Sequence, residues 1–191
     1  RALHLASRRQ RQLCIRDINT GTGKQINLTL NPDFGQAESD EVIVNFSAQE
    51  TFYSEKRAFF NENQSLFDLS HYDRYRIINT RRIGAKSSYD CGNSIDEDEC
   101  NNAKKSYTDI DFALRYTQKN LNSDLGVFVA QESDESFTRG KNFYAVRSKT
   151  KVNNRSIGYF LTHVVDNFTN EKATVNVCLL YTSPSPRDSG Q

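Results

Sequence analysis

Hydrophobic and polar side chains alternate at every second position in several stretches of this chain. The clearest stretch is DIDFALRYTQK, from Asp109 to Lys119. One face of this stretch would carry Ile110, Phe112, Leu114 and Tyr116, and the other Asp109, Asp111, Ala113, Arg115, Thr117 and Lys119. A period of two is that of a β-strand, whereas a helix would spread the charges around its circumference. The pattern therefore predicts a strand whose two faces meet different surroundings.

The same period recurs in further segments, which predict additional strands. These are Gln25–Leu30, Glu41–Ala48, Leu125–Gln131, Asn142–Val152 and Ser156–Asp166. The connections LNSD and VNNRS are short and rich in Asn and Ser, as tight turns are, whereas ESDESFTRGKN makes a longer polar connection. The predicted fold is an all-β antiparallel meander with alternating short and long connections.

This arrangement is typical of an outer-membrane β-barrel, in which strands of about ten residues are apolar outside and polar inside. A closed ring of strands also satisfies every backbone N–H and C=O group within lipid. A soluble sandwich or a half-exposed sheet has the same alternation, so the pattern alone leaves both architectures open.

Composition and charge favour two-faced strands and give no case for a nucleic-acid partner. Hydrophobic residues make up 36% of the 191 residues, and the 11% of aromatic residues are Phe and Tyr without Trp. Phe, Tyr, Thr and Val suit strands that are buried on one face. The formal net charge is +1, so no strongly basic surface for nucleic acid is expected.

The C-terminal end of the chain is expected to be artificial, and the N-terminal end is uncertain. The sequence contains no Met and begins without a signal peptide, which predicts an internal fragment. Residues 1–24 show no clean period and form an uncertain N-terminal segment. The stretch Cys178 to Asp188, CLLYTSPSPRD, matches the conceptual translation of a sequencing adapter. We therefore predict a β-barrel domain over residues 25–177 and an adapter-derived tail over 178–191, with a Pro/Ser-rich linker as the alternative.

Four motifs between residues 28 and 84 carry a family resemblance. In order, they are LTLNPDFGQAESD, VNFSAQETFYSEKRAFFNEN, SLFD and RRIG. They resemble the bacterial domain-of-unknown-function family numbered five-nine-one-six. Members of that family resemble outer-membrane β-barrels and commonly follow a carbohydrate-binding module of family-nine type. The chain departs from the family pattern at Tyr53-Ser54, Ala58, Asn61 and Asn63, where rigid turn residues are lost.

The resemblance implies the N-terminal part of an outer-membrane barrel with lipid as its surroundings. The expected role is a channel, receptor or surface protein associated with glycan handling, with glycans bound through the upstream module. The resemblance supplies no catalytic residues and no cofactor. Two alternatives remain: a glycan-degrading hydrolase and a soluble all-β binding domain.

The motif residues are interpreted as structural or as lining the barrel lumen. They are Asn31, Pro32, Asp33, Phe34, Glu38, Asp40, Glu50, Phe52, Glu55, Lys56, Arg57, Phe59, Phe60, Arg81, Arg82 and Gly84. Charges at barrel depth need water or ion pairs to offset desolvation. We hypothesise a network that joins three carboxylates to four basic side chains, while the aromatic residues pack the wall or the interface girdle. The network members are Glu50, Glu55, Glu62, Lys56, Arg57, Arg81 and Arg82. The alternative is a solvated turn between strands.

Other candidate chemistry in the sequence is weak. Asp33, Glu38 and Asp40 could serve as acid/base groups or calcium ligands, but turn formation after Asn31-Pro32 is the favoured interpretation. Cys91 and Cys100 flank an acidic run and predict a disulfide-closed surface loop in an oxidising compartment. No zinc or calcium motif accompanies them, and no metal site is predicted. The three histidines are isolated, which argues against a hydrolytic triad.

Overall fold

Almost all regular structure in the described part of the chain is β. The computed structural model of the protein describes residues 14–19, 21, 23–32, 55–62, 64–71, 75–91, 100–101, 104, 107–135, 137–153 and 155–182. The strands are β1 Cys14–Asn19, β2 Lys24–Leu30, β3 Ser70–His71, β4 Tyr75–Arg76, β5 Ile110–Lys119, β6 Ser123–Glu132, β7 Lys141–Val152, β8 Arg155–Asp166 and β9 Glu171–Thr182. One short helix, α1, spans Ala58–Asn61, and 3₁₀ turns span Gln64–Leu66 and Thr80–Arg82.

Seven of these strands form one antiparallel sheet in the order β1-β2-β5-β6-β7-β8-β9. Strands β3 and β4 pair separately. In the main sheet each strand pairs with the next along the chain, apart from the excursion between β2 and β5. The sheet is open, with β1 and β9 at its edges. The predicted all-β antiparallel meander is confirmed, and the predicted strand Glu41–Ala48 lies outside the described residues.

The strand register gives the sheet two distinct faces. Residues directly opposite each other share a face, and one row of such pairs crosses β2, β5, β6, β7 and β8. That row is Asn27, Arg115, Phe128, Ala145 and Thr162. All five are buried. We call this side the covered face.

The opposite side, here the uncovered face, is apolar and partly exposed. The adjacent row on this side is Ile26, Tyr116, Val127, Val146 and Leu161. Further along the strands, Leu125, Tyr144, Ile157 and Tyr159 are between 37% and 52% exposed. The uncovered face is thus mainly apolar, whereas the covered face carries both polar side chains and aromatic residues of the core.

The described residues between 55 and 84, here the inner segment, pack on the covered face. Phe59, Phe60 and Phe67 of this segment are buried against Phe128 and Phe160 of the sheet. The ring centroids of Phe60 and Phe128 are 6.1 Å apart, and those of Phe67 and Phe160 are 6.4 Å apart. Such contacts are within the range of aromatic pairs in protein cores. The hydrophobic core thus lies between the inner segment and the sheet.

One residue is on the face opposite to its prediction. Ile110 was grouped with Phe112, Leu114 and Tyr116, but it is 2% exposed and belongs to the buried cluster. The pairing of β5 with β6 shifts register between Ile110 and Phe112. A β-bulge adds one residue to a strand and so turns the preceding side chain to the other face.

The terminal strands extend into segments that the sequence left unassigned. Strand β1 lies within the uncertain N-terminal segment, and β9 continues through residues 178–182 of the predicted tail. Among the described residues, no helix has the length and hydrophobicity needed to cross a bilayer.

Candidate functional site

The charged part of the EKR motif forms a buried ion pair within the inner segment. The Arg57 side chain donates from Nε to Glu55 Oε1 at 2.8 Å and from Nη2 to Glu55 Oε2 at 2.9 Å. Both side chains are almost fully buried, at 1% and 2% exposure. Two parallel bonds between a guanidinium and a carboxylate form one of the strongest polar contacts in proteins. The guanidinium also lies over the Phe60 ring, with Cζ 4.1 Å from the centroid.

The same arginine connects the EKR motif to the RRIG motif. Arg57 Nη1 donates to the carbonyl oxygen of Ile83, and Nη2 donates to that of Thr80, each at 2.7 Å. The Thr80 hydroxyl donates to Glu55 Oε2 at 2.7 Å. Buried carbonyl groups need such partners, because an unmade hydrogen bond in the interior is costly. The two motifs therefore form one structural unit.

Gly84 fastens this unit to the sheet. Its backbone N–H donates to Glu132 Oε1 at the end of β6, at 2.8 Å, and its carbonyl accepts from the Thr108 N–H at 2.9 Å. The φ angle of Gly84 is +80°, and a Cβ atom there would lie 3.2 Å from the Thr108 oxygen and 3.3 Å from Ile110 Cδ1. Glycine is favoured at such a position because other residues rarely adopt this conformation. Glu132 Oε2 accepts from the Lys141 N–H at 2.9 Å, which ties in β7.

The electrostatics of Glu55 suit a structural role. Burial by itself would raise the pKa of this carboxyl group, but the hydrogen bonds and charge of Arg57, with the Thr80 hydroxyl, hold the pKa below its ordinary value. Its two oxygens accept four hydrogen bonds, two from the Arg57 side chain, one from the Arg57 N–H and one from Thr80. A carboxylate has about four acceptor sites. Glu55 therefore has no free lone pair for a reacting proton.

A second polar cluster lies where the inner segment meets β1, β2 and β5. Asn27 Nδ2 donates to Asp17 Oδ1 and to Glu62 Oε2. Arg115 Nη2 lies 3.7 Å from Glu62 Oε2, and the Arg115 guanidinium lies 5.2 Å from the Phe59 ring. Asn27 and Arg115 are 0% and 2% exposed. Glu62 thus contacts the sheet through Asn27 and Arg115, and the wider network that we hypothesised stays a prediction.

The remaining motif residues divide into three groups. Asn31, which follows β2, adopts a φ of +44°, and its backbone N–H donates to the backbone carbonyl oxygen of Asp111 at 2.7 Å. Pro32, the next residue, is buried. Lys56 and Arg82 are exposed, whereas Arg81 is half-buried. Six further predicted residues lie outside the described residues: Asp33, Phe34, Glu38, Asp40, Glu50 and Phe52.

Phe59 and Phe60 are buried against the covered face of the sheet. They are each 1% exposed and meet edge to face, with centroids 5.2 Å apart. The guanidinium groups of the buried Arg57 and Arg115 each stack on one of the two rings.

Cys91 and Cys100 form a disulfide, with Cα atoms 5.7 Å apart. The bond closes a loop that departs from the chain just after the RRIG motif. Thr108, which follows the loop, returns to that motif through its bond to Gly84. The disulfide therefore lies at the base of an excursion and does not contribute a side chain to the buried ion pair.

A cavity of about 140 Å³ lies between residues 76–83 and strands β6 to β8. Its lining is mainly apolar, including Ile77, Ile78, Phe143 and Val164, with Arg76 and Arg82 also present. Within the described ranges no group of three or more His, Cys, Asp and Glu side chains could hold a metal ion. The described residues thus offer an apolar pocket beside the buried Glu55–Arg57 pair.

The order of these motifs agrees with the outcome of a family comparison. Residues 25–175 match the family described as Domain of unknown function (DUF5916). The chain belongs to the DUF5916 family. This confirms the resemblance drawn from residues 28–84. No curated protein and no solved structure matches the chain.

In this DUF5916 chain, several residues of the site were not predicted. Glu132, Thr80 and Ile83 all take part in the unit around Arg57. Thr80 and Ile83 act partly through backbone carbonyls, which have no signature in the sequence. Glu132 stands at the end of a hydrophobic strand, and no local pattern distinguishes it from a solvent-exposed loop acid.

Proposed function

We propose that this chain forms part of the wall of an outer-membrane β-barrel, with the inner segment inside the lumen. The observation that carries the proposal is that large apolar side chains remain exposed on one face of the sheet while charged side chains are buried on the other. The buried face holds Asn27, Arg115 and Arg147 beside the aromatic core, whereas Leu125, Ile157 and Tyr159 on the other face are partly exposed. A one-sided antiparallel sheet in water has a polar outer face instead.

The dimensions of the strands support the same proposal. Strands β5 and β6 contain 10 residues each, and β7, β8 and β9 contain 12 each. A transmembrane β-strand needs about 9–11 residues when tilted. The β5–β6 and β7–β8 connections at one end are short, and at the other end the β2–β5 and β6–β7 connections are longer, while β8–β9 is short. Outer-membrane barrels have short turns on the periplasmic side and longer loops outside.

The inner segment favours a receptor or surface protein over an open channel. Phe59, Phe60 and Phe67 fill the space directly over β6 and β8, so the covered face lines no continuous water path at this level. We therefore propose a barrel closed by its own chain and surrounded by outer-membrane lipid. The association with glycan handling comes from the family-nine-type module that the resemblance places upstream.

Two adjacent residues offer a direct test of the faces. Phe160 is 0% exposed on the covered face, and Leu161 is half-buried on the uncovered face. Each residue can be replaced by Trp in the full-length protein, with the unsubstituted protein as the reference for any Trp outside this chain, which itself has none. In vesicles of lipids with brominated acyl chains, we expect quenching of Leu161→Trp and little quenching of Phe160→Trp.

The alternatives predict different results in the same experiment. If Leu161→Trp is quenched by aqueous iodide and not by brominated lipid, the chain is a soluble all-β binding domain and the proposal is wrong. A hydrolase has no support among the described residues, because Glu55 is fully engaged by hydrogen bonds. Glycan cleavage by the full-length protein that disappears in Asp33→Asn, Glu38→Gln or Asp40→Asn would establish that alternative.

A further inference from the structure

Arg147 on β7 is a buried arginine without a carboxylate partner. Its residue exposure is 4%. The guanidinium Cζ lies 5.7 Å from the centre of the Phe160 ring, and Nη2 donates to the Tyr181 hydroxyl at 3.0 Å. Nη1 has no hydrogen-bond partner. No ion pair of Arg147 occurs in the part of the chain that the structure describes.

The other two arginines buried to this degree each have a nearby carboxylate. Arg57 is paired with Glu55 at 2.8 Å, and Arg115 lies 3.7 Å from Glu62. Removing a charge from water without an opposite charge costs several kcal/mol even after relaxation of the protein. Arg147 thus differs from Arg57 and Arg115 in lacking the group that would offset its desolvation.

Arg147 lines a polar cavity of about 170 Å³ at the short-turn end of the covered face. Lys119 of β5 and Lys149 of β7 line the same cavity, as do Ser65, Asp68 and Asp124. The cavity therefore has three basic groups and two acidic ones. Gly158 leaves the room that the guanidinium occupies, because a Cβ atom there would lie 2.8 Å from Arg147 Nη1.

We propose that this cavity binds the oxyanion of a small polar solute, a carboxylate, phosphate or sulfate group, through Arg147. A planar guanidinium matches the oxygens of such groups and binds them more strongly than it binds neutral acceptors. Lys149 and Lys119 add positive charge at the rim, while Ser65 can hydrogen-bond to the rest of the solute. Under the proposed function the cavity opens toward the periplasm.

Tyr181, which lies in the predicted adapter-derived tail, lines the cavity and accepts a hydrogen bond from Arg147 Nη2, but it supplies no charge to the site. Without that hydroxyl, Arg147 Nη2 would lose its one hydrogen bond, and the guanidinium would need an anion even more. The site is also independent of the solvent around the uncovered face. Its failure and the failure of the proposed function are therefore distinguishable by the lipid-quenching experiment.

The test measures the thermal unfolding midpoint of the detergent-solubilised full-length protein in sodium phosphate, with sodium chloride at equal ionic strength as the reference. A ligand that binds only the folded state raises this midpoint, by an amount that grows with the ratio of ligand concentration to dissociation constant. We expect phosphate to raise it above the chloride value in the parent. In Arg147→Gln the phosphate effect should disappear, while the midpoint in chloride is unchanged or higher because a buried unpaired charge is gone.

Two further variants control for charge and folding. Arg139→Gln removes the same charge from an exposed position, 62% accessible and paired with Asp134, at the other end of the sheet. This variant should respond to phosphate as the parent does. If Arg147→Gln does not fold, Lys119→Gln at the exposed rim should weaken phosphate binding about two- to fivefold, the range expected for one surface charge.

Two results would overturn the proposed oxyanion site. One is that phosphate stabilises the parent no more than chloride does. The other is that the parent responds to phosphate no more strongly than Arg147→Gln, or than Lys119→Gln where Arg147→Gln does not fold. Glucuronate and glucose then identify the source of the oxyanion. Stabilisation by glucuronate but not by glucose supports a carboxylated sugar, and stabilisation by phosphate alone supports a phosphate group.

Discussion

Arg57 concentrates four side-chain hydrogen bonds and an aromatic contact at one buried position between two motifs of the family. Only a planar group with several fixed N–H donors can reach Glu55, Thr80 and Ile83 at the same time. Lysine carries the same charge but cannot form parallel bonds with a carboxylate. The aromatic residues of the motif exclude water from this ion pair, which explains why charges and phenylalanines occur together in so short a stretch.

We predict that Arg57→Ala destabilises the protein by about 3–5 kcal/mol, because Glu55 would remain buried without its partner. Urea unfolding of the full-length protein in detergent measures the change. Lys56→Ala, which removes a neighbouring exposed charge, should cost less than about 1 kcal/mol. The double variant Glu55→Gln/Arg57→Met should lose less stability than Arg57→Ala. Equal midpoints for Arg57→Ala and Lys56→Ala would contradict the structural role of the pair.

The depressed pKa of Glu55 also predicts a pH dependence. A carboxyl group whose pKa is lower in the folded state than in the unfolded state stabilises the protein above its unfolded pKa, about 4.3. This contribution is lost as the pH falls from there through the folded pKa. Glu55→Gln should therefore be less stable than the parent at pH 7, and the difference should shrink below about pH 4. A difference that is constant from pH 7 to pH 3 would argue against an ionised Glu55.

At the scale of elements, the close contact between the inner segment and β6 requires a glycine, Gly126, in that strand. A Cβ atom at Gly126 would lie 2.6 Å from Phe67 Cζ and 2.8 Å from Leu66 Cδ2. We predict that Gly126→Ala costs about 1–3 kcal/mol through overpacking. Val127→Ile adds one carbon to the uncovered face of the same strand and should change stability by less than about 0.5 kcal/mol. Thermal midpoints of both variants test this, and equal losses would contradict close packing at Gly126.

The strands could be predicted from sequence because their signal is local. In β5 the alternation predicts Leu114 and Arg115 on different faces, and in β8 it does the same for Leu161 and Thr162. The sheet has both pairs on different faces. The bulge at Ile110 has no comparable signal, since DIDF continues the alternation without a break. The contacts of the inner segment were also beyond prediction, because they join residues such as Gly84 and Glu132 that are distant in the sequence. The order of the motifs indicated that the EKR and RRIG motifs belong together. It did not indicate that the carbonyl oxygens of Thr80 and Ile83 accept hydrogen bonds from Arg57.

At the scale of the whole molecule, the open sheet has two kinds of exposed surface: its edge strands and its apolar uncovered face. Among the described strands, β1 and β9 each pair on one side only, and the uncovered face exposes residues such as Ile157 and Leu125. Edges recruit further strands through backbone hydrogen bonds, whereas an apolar face recruits lipid or detergent. In a complete barrel, additional strands would remove the edges and the membrane would cover the face.

These two features predict how the 191-residue chain behaves when produced alone. In water it should self-associate, because both the edges and the uncovered face favour contact between copies. Mild detergent should cover the apolar face and reduce the assemblies to small oligomers held by edge pairing. Light scattering with and without detergent micelles measures this difference. Leu161→Glu, on the uncovered face, should reduce association in water and matter little in detergent, whereas Lys172→Pro on β9 should matter most in detergent. A monodisperse monomer in plain buffer would mean that the apolar face is compatible with water, and the membrane assignment would lose its physical basis.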